Sequence, residues 1–333
     1  MKEKGIIEKI RVSIGSAIVL DLKKGSIDVK PTTAYLLLGR GTKCLANCSF
    51  CTQAKHSNSR ANMLSRVTWP EFPAEEVISS IEKAAKTAKI KRICVQSLNY
   101  PQVFGDVLCL VKKIKTKVDV PISVSCKPLN KEQAEHMFQA GVNRICIALD
   151  AATEQIFEKI KGTNVGAKYK WSEQRKALQE AVTVFGYEFV STHLIVGLGE
   201  TEKELCQTIQ WCVDSRIKPA LFAFTPIKGT ALENNLPPQL SYYRRTQVAN
   251  FLLTNGKTTI REMEFDNNGK ITSFGVTKED LMKTLQKGEP FLTSGCPDCN
   301  RPYYNEKPSG PLYNYPRSLL PKEVEKERKN LGF

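Results

Sequence analysis

The sequence predicts an α/β fold in which a parallel sheet curls into a (β/α) barrel of the TIM-barrel type, with six to eight βα units. Three observations carry that reading. Short apolar runs alternate with amphipathic helical patterns from residue 34 onward. No close repeat or low-complexity segment breaks the rhythm. Three cysteines follow the first strand-like run directly, at the carboxyl edge where barrels of this kind keep their chemistry.

Residues 1–31 form a lead-in, with a helical pattern over IIEKIRVSIGSAI. The barrel occupies 32–287. Its strands read as AYLLL (34–38), RICVQ (92–96), ISVSC (122–126), RICIALD (144–150), EFVSTHLIV (188–196), PALFAF (219–224) and TTIREMEF (258–265). Most of these are short apolar or alternating runs with β-branched or aromatic residues. Between them, EEVISSIEKAAKTA, VFGDVLCLVKKIK, KEQAEHMFQAG, SEQRKALQEAVTVFG, TEKELCQTIQWCVDS and YYRRTQVANFLLTNG read as helices. From 288 the chain becomes rich in Pro, Gly and Tyr, and 288–333 reads as a C-terminal wrap on the same catalytic unit.

With 333 residues, 41% of them hydrophobic, the chain can bury a substantial core without staples. No apolar run approaches the ~18 residues of a membrane span, and the start lacks a signal-peptide core with a small-residue cleavage site. A cytoplasmic protein is expected. Eleven cysteines, an odd number scattered through a long chain, suit metal or core use better than a disulfide framework. The net charge of +15, from 49 Lys and Arg against 34 Asp and Glu, suits an acidic partner, and a lysine-rich solubilising surface accounts for it equally. The basic residues are dispersed, with no basic-aromatic block of the kind that binds RNA.

The cysteine run is CLANCSFC, Cys44, Cys48 and Cys51. A metal held by thiolates alone takes four of them. Either a fourth ligand such as His56 or a distant cysteine completes a zinc site, or one coordination position is left open. The C-x3-C-x2-C spacing after a first barrel strand, with Phe50 before the last cysteine, resembles the motif of the radical S-adenosylmethionine (SAM) superfamily. That resemblance implies that the three cysteines bind three irons of a 4Fe-4S cluster and that SAM chelates the fourth. CTQAKHSNSR, LDAAT and IVGLGET make the chain similar to biotin synthase over most of its length. The resemblance implies that Asp150 binds the SAM ribose, with Ala148 where the family has an asparagine. It also implies that Arg175 meets the SAM carboxylate and that Ile195 and Gly197 lie along the adenine.

Biotin synthase also carries an auxiliary 2Fe-2S cluster held by three strand cysteines and an arginine. By resemblance Cys94 and Cys126 match two of these cysteines, Ser191 stands at the third, and Arg261 falls at the arginine. The tail adds a C-x2-C pair, Cys296 and Cys299, in GCPDCNRPYY. It can be half of a zinc ribbon, a redox pair, or the completion of an auxiliary 4Fe-4S cluster with Cys94 and Cys126. The last is the reading adopted. Cys109, Cys206 and Cys212 sit in helical patterns and read as core filler, as does Cys146, four residues or ~13 Å deeper in its strand than Asp150. His193 shares parity with Ser191 and Ile195 and is expected to face the lumen.

A radical SAM enzyme with an auxiliary cluster is expected to cleave SAM reductively and insert cluster sulfur at an unactivated C–H bond. The CPxCNRP-like tail resembles the archaeal-type two-protein lipoyl synthases. The implied partners are an octanoylated lipoyl-carrier protein, a paralogous radical SAM component and an electron donor such as ferredoxin. Biotin synthase acting on dethiobiotin, and a cluster-binding accessory subunit, are the alternatives.

Overall fold

The computed structural model describes residues 7–331. Six parallel strands follow in spatial order as they do along the chain: β1 (Thr33–Leu38), β2 (Arg92–Ser97), β3 (Ile122–Cys126), β4 (Arg144–Ile147), β5 (Val190–Val196) and β6 (Lys218–Ala223). Successive strands are joined through helices: α1 (Ala74–Lys86), α2 (Val103–Lys115), α3 (Lys131–Gln139), the pair α4 (Glu154–Ile160) and α5 (Trp171–Phe185), and α6 (Glu202–Asp214). A further helix, α7 (Leu240–Thr254), packs against α6. Sequential neighbours joined by helical crossovers make a (β/α) barrel sheet. β1 is buried along its whole length, which is why TAYLLL reads as a continuous apolar run.

Two sequence expectations fail at the ends of this sheet. The lead-in pattern is not one helix: Lys9–Val12 is a strand antiparallel to β1, followed by a short helix Ile14–Val19 whose cap is Ser13. Ile6 lies outside the described residues. TTIREMEF is not a seventh barrel strand. The Glu262 carboxylate accepts from both the backbone N–H (2.7 Å) and the hydroxyl (2.9 Å) of Thr259, which closes a turn where an extended strand was expected. Only Glu264–Phe265 is extended, in a small hairpin apart from the barrel sheet.

β6 is therefore left with an open edge, which would expose unpaired backbone groups. The C-terminal tail covers it with side chains. Ser294 Oγ accepts from Leu221 N–H (2.8 Å), and Asn305 Nδ2 donates to Ala223 O (3.1 Å). At the amino edge of the strands, Asn300 Oδ1 accepts from Thr32 N–H (3.1 Å), and Arg92 Nε donates to Pro297 O (3.1 Å). The tail thus bridges the first and last strands. Its far end, the helix Pro321–Lys329, is locked to α7 by a fully buried Arg244–Glu327 pair at 2.7 Å. No helix of the described residues is long and apolar enough to cross a membrane.

Candidate active site

One cavity of about 310 Å³ runs through the barrel, reaching both the cysteine loop and the tail cysteines. At its carboxyl end stand Cys44, Cys48, Phe50 and Cys51, on the loop that leaves β1. The loop is pinned to the end of α4 and the segment beyond it: Ser49 N–H donates to Ile160 O (2.7 Å), and Asn47 Nδ2 to Val165 O (2.7 Å). Backbone donors already address its sulfurs. Asn99 N–H lies 3.1 Å from Cys44 Sγ, and Gln53 N–H lies 3.4 Å from Cys51 Sγ. Such donors stabilise thiolate charge. Burial opposes it, raising the Cys51 thiol to about 11 and that of Cys48 further still, so a cationic metal centre is what would hold these groups ionised.

Among the described residues, no three His, Cys, Asp or Glu side chains are gathered in the way a single metal ion requires. A single ion draws all its ligands to ~2.0–2.3 Å, whereas an iron–sulfur cluster offers a separate iron to each cysteine. The donor set of the loop, three thiols on one cavity wall, suits the cluster.

Beside the loop lies a built polar corner. Asp150 has a left-handed backbone (φ +67°), a region Asp tolerates better than most residues. Its carboxylate pairs with Lys161 at 2.7 Å, both side chains almost wholly buried. The Lys161 ammonium also donates to the carbonyl of Ala148, the residue that by resemblance stands where biotin synthases have an asparagine. Arg175 is not here. Its guanidinium stacks 4.1 Å over the Trp211 ring, between α5 and α6, and it does not line the cavity. The preceding residue, Gln174, does line it, 1% exposed and with no partner for its Oε1. An orphaned acceptor facing the cavity fits a ligand bearing N–H or O–H groups.

Ile195 lines the same wall, and Gly197 begins the turn beyond it with φ +104°. A Cβ at Gly197 would lie 2.9 Å from Pro238 Cδ. Glu200 fastens this turn, accepting from Gly197 N–H (2.6 Å) and Leu198 N–H (2.9 Å).

Deeper in the lumen, Cys94 on β2 registers with Tyr35 and Ser123. Burial pushes its thiol well above the usual range, and the nearby thiols Cys296, Cys299 and Cys146 add to that rise. Tyr35 Oη lies 3.3 Å from Cys299 Sγ, and Ser123 Oγ lies 3.4 Å from Cys296 Sγ. The structure thus brings the tail pair to Cys94 but does not bring Cys126. That residue ends β3 on the opposite side from Ser123 and Ser125 and registers with Ile147; its thiol, pushed up by burial to about 12, has Cys146 beside it. Cys146 is no core filler: it lines the cavity in register with Ser125 and Ser191. Cys109, also expected in the core, is exposed.

Arg261 is exposed in the turn that replaces the seventh strand and does not reach the lumen. The arginine that does is Arg301, two residues past Cys299. Its guanidinium lies 3.9 Å over the Phe222 ring and donates to Ser294 O (2.6 Å). His193 faces the lumen as its parity predicts, 4.6 Å from the Phe222 ring, and burial lowers it to about 4, leaving a neutral imidazole.

Sequence reasoning left Lys161, Gln174 and Arg301 unassigned. The only signal for Arg301 was a cation beside a C-x2-C pair. Lys161 and Gln174 offered none, since each is an ordinary helix-terminal or helical residue until the fold turns it inward.

The architecture defines a class first. Methylornithine synthase (PylB) superposes with a TM-score of 0.51 at 16% identity, over 73% of this chain and 67% of that one. The hydrogenase maturase HydG from Carboxydothermus hydrogenoformans gives 0.51 at 15% identity, over 74% and 56%. These likenesses show a shared barrel fold. The sequence profile of the radical SAM superfamily matches residues 40–212, just over half the chain, and the protein belongs to that superfamily. A biotin synthase from Corynebacterium glutamicum is 27% identical over 160 residues, 47% of this chain and 44% of its own length. One from Synechococcus elongatus is 25% identical over 236 residues, 68% and 69%. The match to the first of these relatives spans less than half of that protein. Membership implies a 4Fe-4S cluster and SAM.

Proposed function

We propose that this chain is a radical SAM sulfur-insertion enzyme, one component of a two-protein lipoyl synthase that thiolates an octanoyl chain on a carrier protein. The observation that carries the proposal is the delivery of a tail cysteine pair, Cys296 and Cys299, to Cys94 inside the cavity that also meets Cys44, Cys48 and Cys51. When bound, SAM and its cluster supply hydrogen abstraction from an unactivated C–H bond, and an auxiliary cluster supplies the sulfur.

The chain's own residues do the rest. Cys44, Cys48 and Cys51 would hold the SAM cluster, and Asp150, oriented by Lys161, would accept from the ribose hydroxyls. Gln174 would accept from the amino-acid end of SAM, while Ile195 and the Gly197 turn would border the adenine. Leu37, Phe222, Phe224 and Ile227 line the cavity and keep it apolar, as an alkyl chain requires. Burying such a chain is worth ~0.8 kcal/mol per CH2. His193, neutral and central, carries no charge into that path. The net charge of +15 favours encounter with an acidic carrier domain. An electron donor such as ferredoxin and a paralogous radical SAM protein complete the proposed system.

The kinship with biotin synthases favours one second reading, conversion of dethiobiotin to biotin. Anaerobic incubation with SAM and reductant separates the two. The test compares an octanoylated carrier peptide, with and without the paralogue, against dethiobiotin, and mass spectrometry reads the added sulfur. Sulfur on the octanoyl chain supports the proposal. Biotin from dethiobiotin with an unmodified octanoyl peptide overturns it in favour of the second reading.

A further inference from the structure

The lumen holds five thiols below the SAM corner, and an auxiliary cluster held by protein sulfur needs four. Three face one part of the lumen: Cys94 in register with Tyr35 and Ser123, whose hydroxyls meet Cys299 and Cys296. The fourth is either Cys126 or Cys146, and strand geometry separates them.

Side chains alternate across a strand, so residues two apart share a face. On β4 and its extension, Cys146, Ala148 and Asp150 share one, and all three line the cavity. Cys146 registers on one side with Ser125, itself on the lumen face of β3, and on the other with Ser191, on the lumen face of β5. Two hydroxyls therefore flank its sulfur, and Cys296 lies among its thiol neighbours. Cys126 has the other parity. It touches the cavity only at the end of its strand, and neither tail cysteine is among its charged neighbours.

We infer that Cys146, and not Cys126, completes the auxiliary site, giving a set of Cys94, Cys146, Cys296 and Cys299 with the Arg301 guanidinium as its neighbouring cation. The inference rests on the auxiliary-cluster reading above. Two of the proposed ligands come from the barrel wall, on β2 and β4 to either side of β3, and two from the tail that plugs it. Ser123 and Ser125 on β3 line the wall between them and Ser191 on β5 lies beyond Cys146; all three offer hydroxyl donors to cluster sulfur, a role hydrogen-bond donors play in tuning such centres. On assembly each thiol S–H bond breaks, an Fe–S bond forms, and the proton leaves to solvent.

The test uses the full chain, reconstituted anaerobically with iron and sulfide, with iron content and Mössbauer spectra as the readout. Wild type is expected to hold about eight irons, and Cys146→Ala and Cys296→Ala about four each, the remainder at the SAM site. Cys126→Ala is expected to keep about eight. A change in the EPR signal of the remaining cluster on adding SAM shows that each variant is folded. Cys146→Ser repeats the test with the least change of volume. Loss of iron in Cys126→Ala, or full iron in both Cys146 variants, overturns the inference. If the Cys94 and Cys296 variants also keep all the iron of wild type, the auxiliary-cluster reading itself falls. Failure of the ligand choice is then distinct from failure of the site.

Discussion

The Lys161 ammonium stands 2.7 Å from a carboxylate oxygen of Asp150, with 6% and 9% of the two side chains exposed. Attraction between buried charges offsets their desolvation only while both partners are present. Lys161→Met strands the carboxylate, and unfolding free energy is expected to fall by ~3–5 kcal/mol. The double variant Asp150→Asn, Lys161→Met should recover part of that loss. Denaturant melts of the single and double variants check the coupling, and SAM affinity by equilibrium dialysis should weaken in both.

Arg261 and Arg301 make opposite predictions. Arg261 is exposed and outside the lumen, so Arg261→Ala should leave iron content and SAM cleavage within about twofold of wild type, as surface changes usually do. Arg301→Gln removes the cation beside Cys94 and Cys299 and should lower the reduction potential of a cluster bound there, because the more negative charge state loses its counter-charge. Protein-film voltammetry reads the shift. An unchanged potential would place the guanidinium's role in anchoring Ser294 and Phe222 instead.

Glu306 gives a pH dependence. It is 4% exposed, its Oε2 has no partner, and burial raises its carboxyl to about 7. An acid raised on folding stabilises the fold fully below its unfolded value of ~4.3 and loses that contribution as pH climbs to about 7. Glu306→Gln mimics the neutral form and should melt above wild type at pH 8, by an amount on the order of 1–3 kcal/mol, while matching it near pH 4. Parallel melting curves at all pH values would show that the carboxyl is not buried as described.

At Gly197 the backbone lies at φ +104°, with Pro238 against the missing side chain. Gly197→Ala meets both obstacles and should cost ~1–3 kcal/mol. Adding Pro238→Ala relieves the contact but not the dihedral, so only part of the loss should return.

Six of the seven expected strands and the parity of His193 were legible because each depends on local pattern: apolar runs bounded by helices, and alternation across a pleat. TTIREMEF carries a strand-like pattern too, but pattern is blind to the Glu262 side chain folding back on Thr259. Arg175 shows the limit of helical register. Adjacent residues on a helix differ by about 100° in direction, so Gln174 enters the cavity while Arg175 meets Trp211 outside it. The choice between Cys126 and Cys146 turns on the same kind of reason. A thiol's role follows the side of the strand it occupies, and that side is set by register with neighbours far along the chain.

The barrel closes with a segment far along its own chain, and this orders events in time. Chains are made from the amino end, so the loop of Cys44, Cys48 and Cys51 leaves the ribosome among the first residues of the barrel. Cys94 and Cys146 follow, facing a trough whose last wall does not yet exist. Ser294, Asn300 and Asn305, which seal that wall against β6 and the lead-in, come later still, together with Cys296 and Cys299. The upper thiol site can be complete in a nascent chain, while the proposed lower one waits for a segment made some hundreds of residues later.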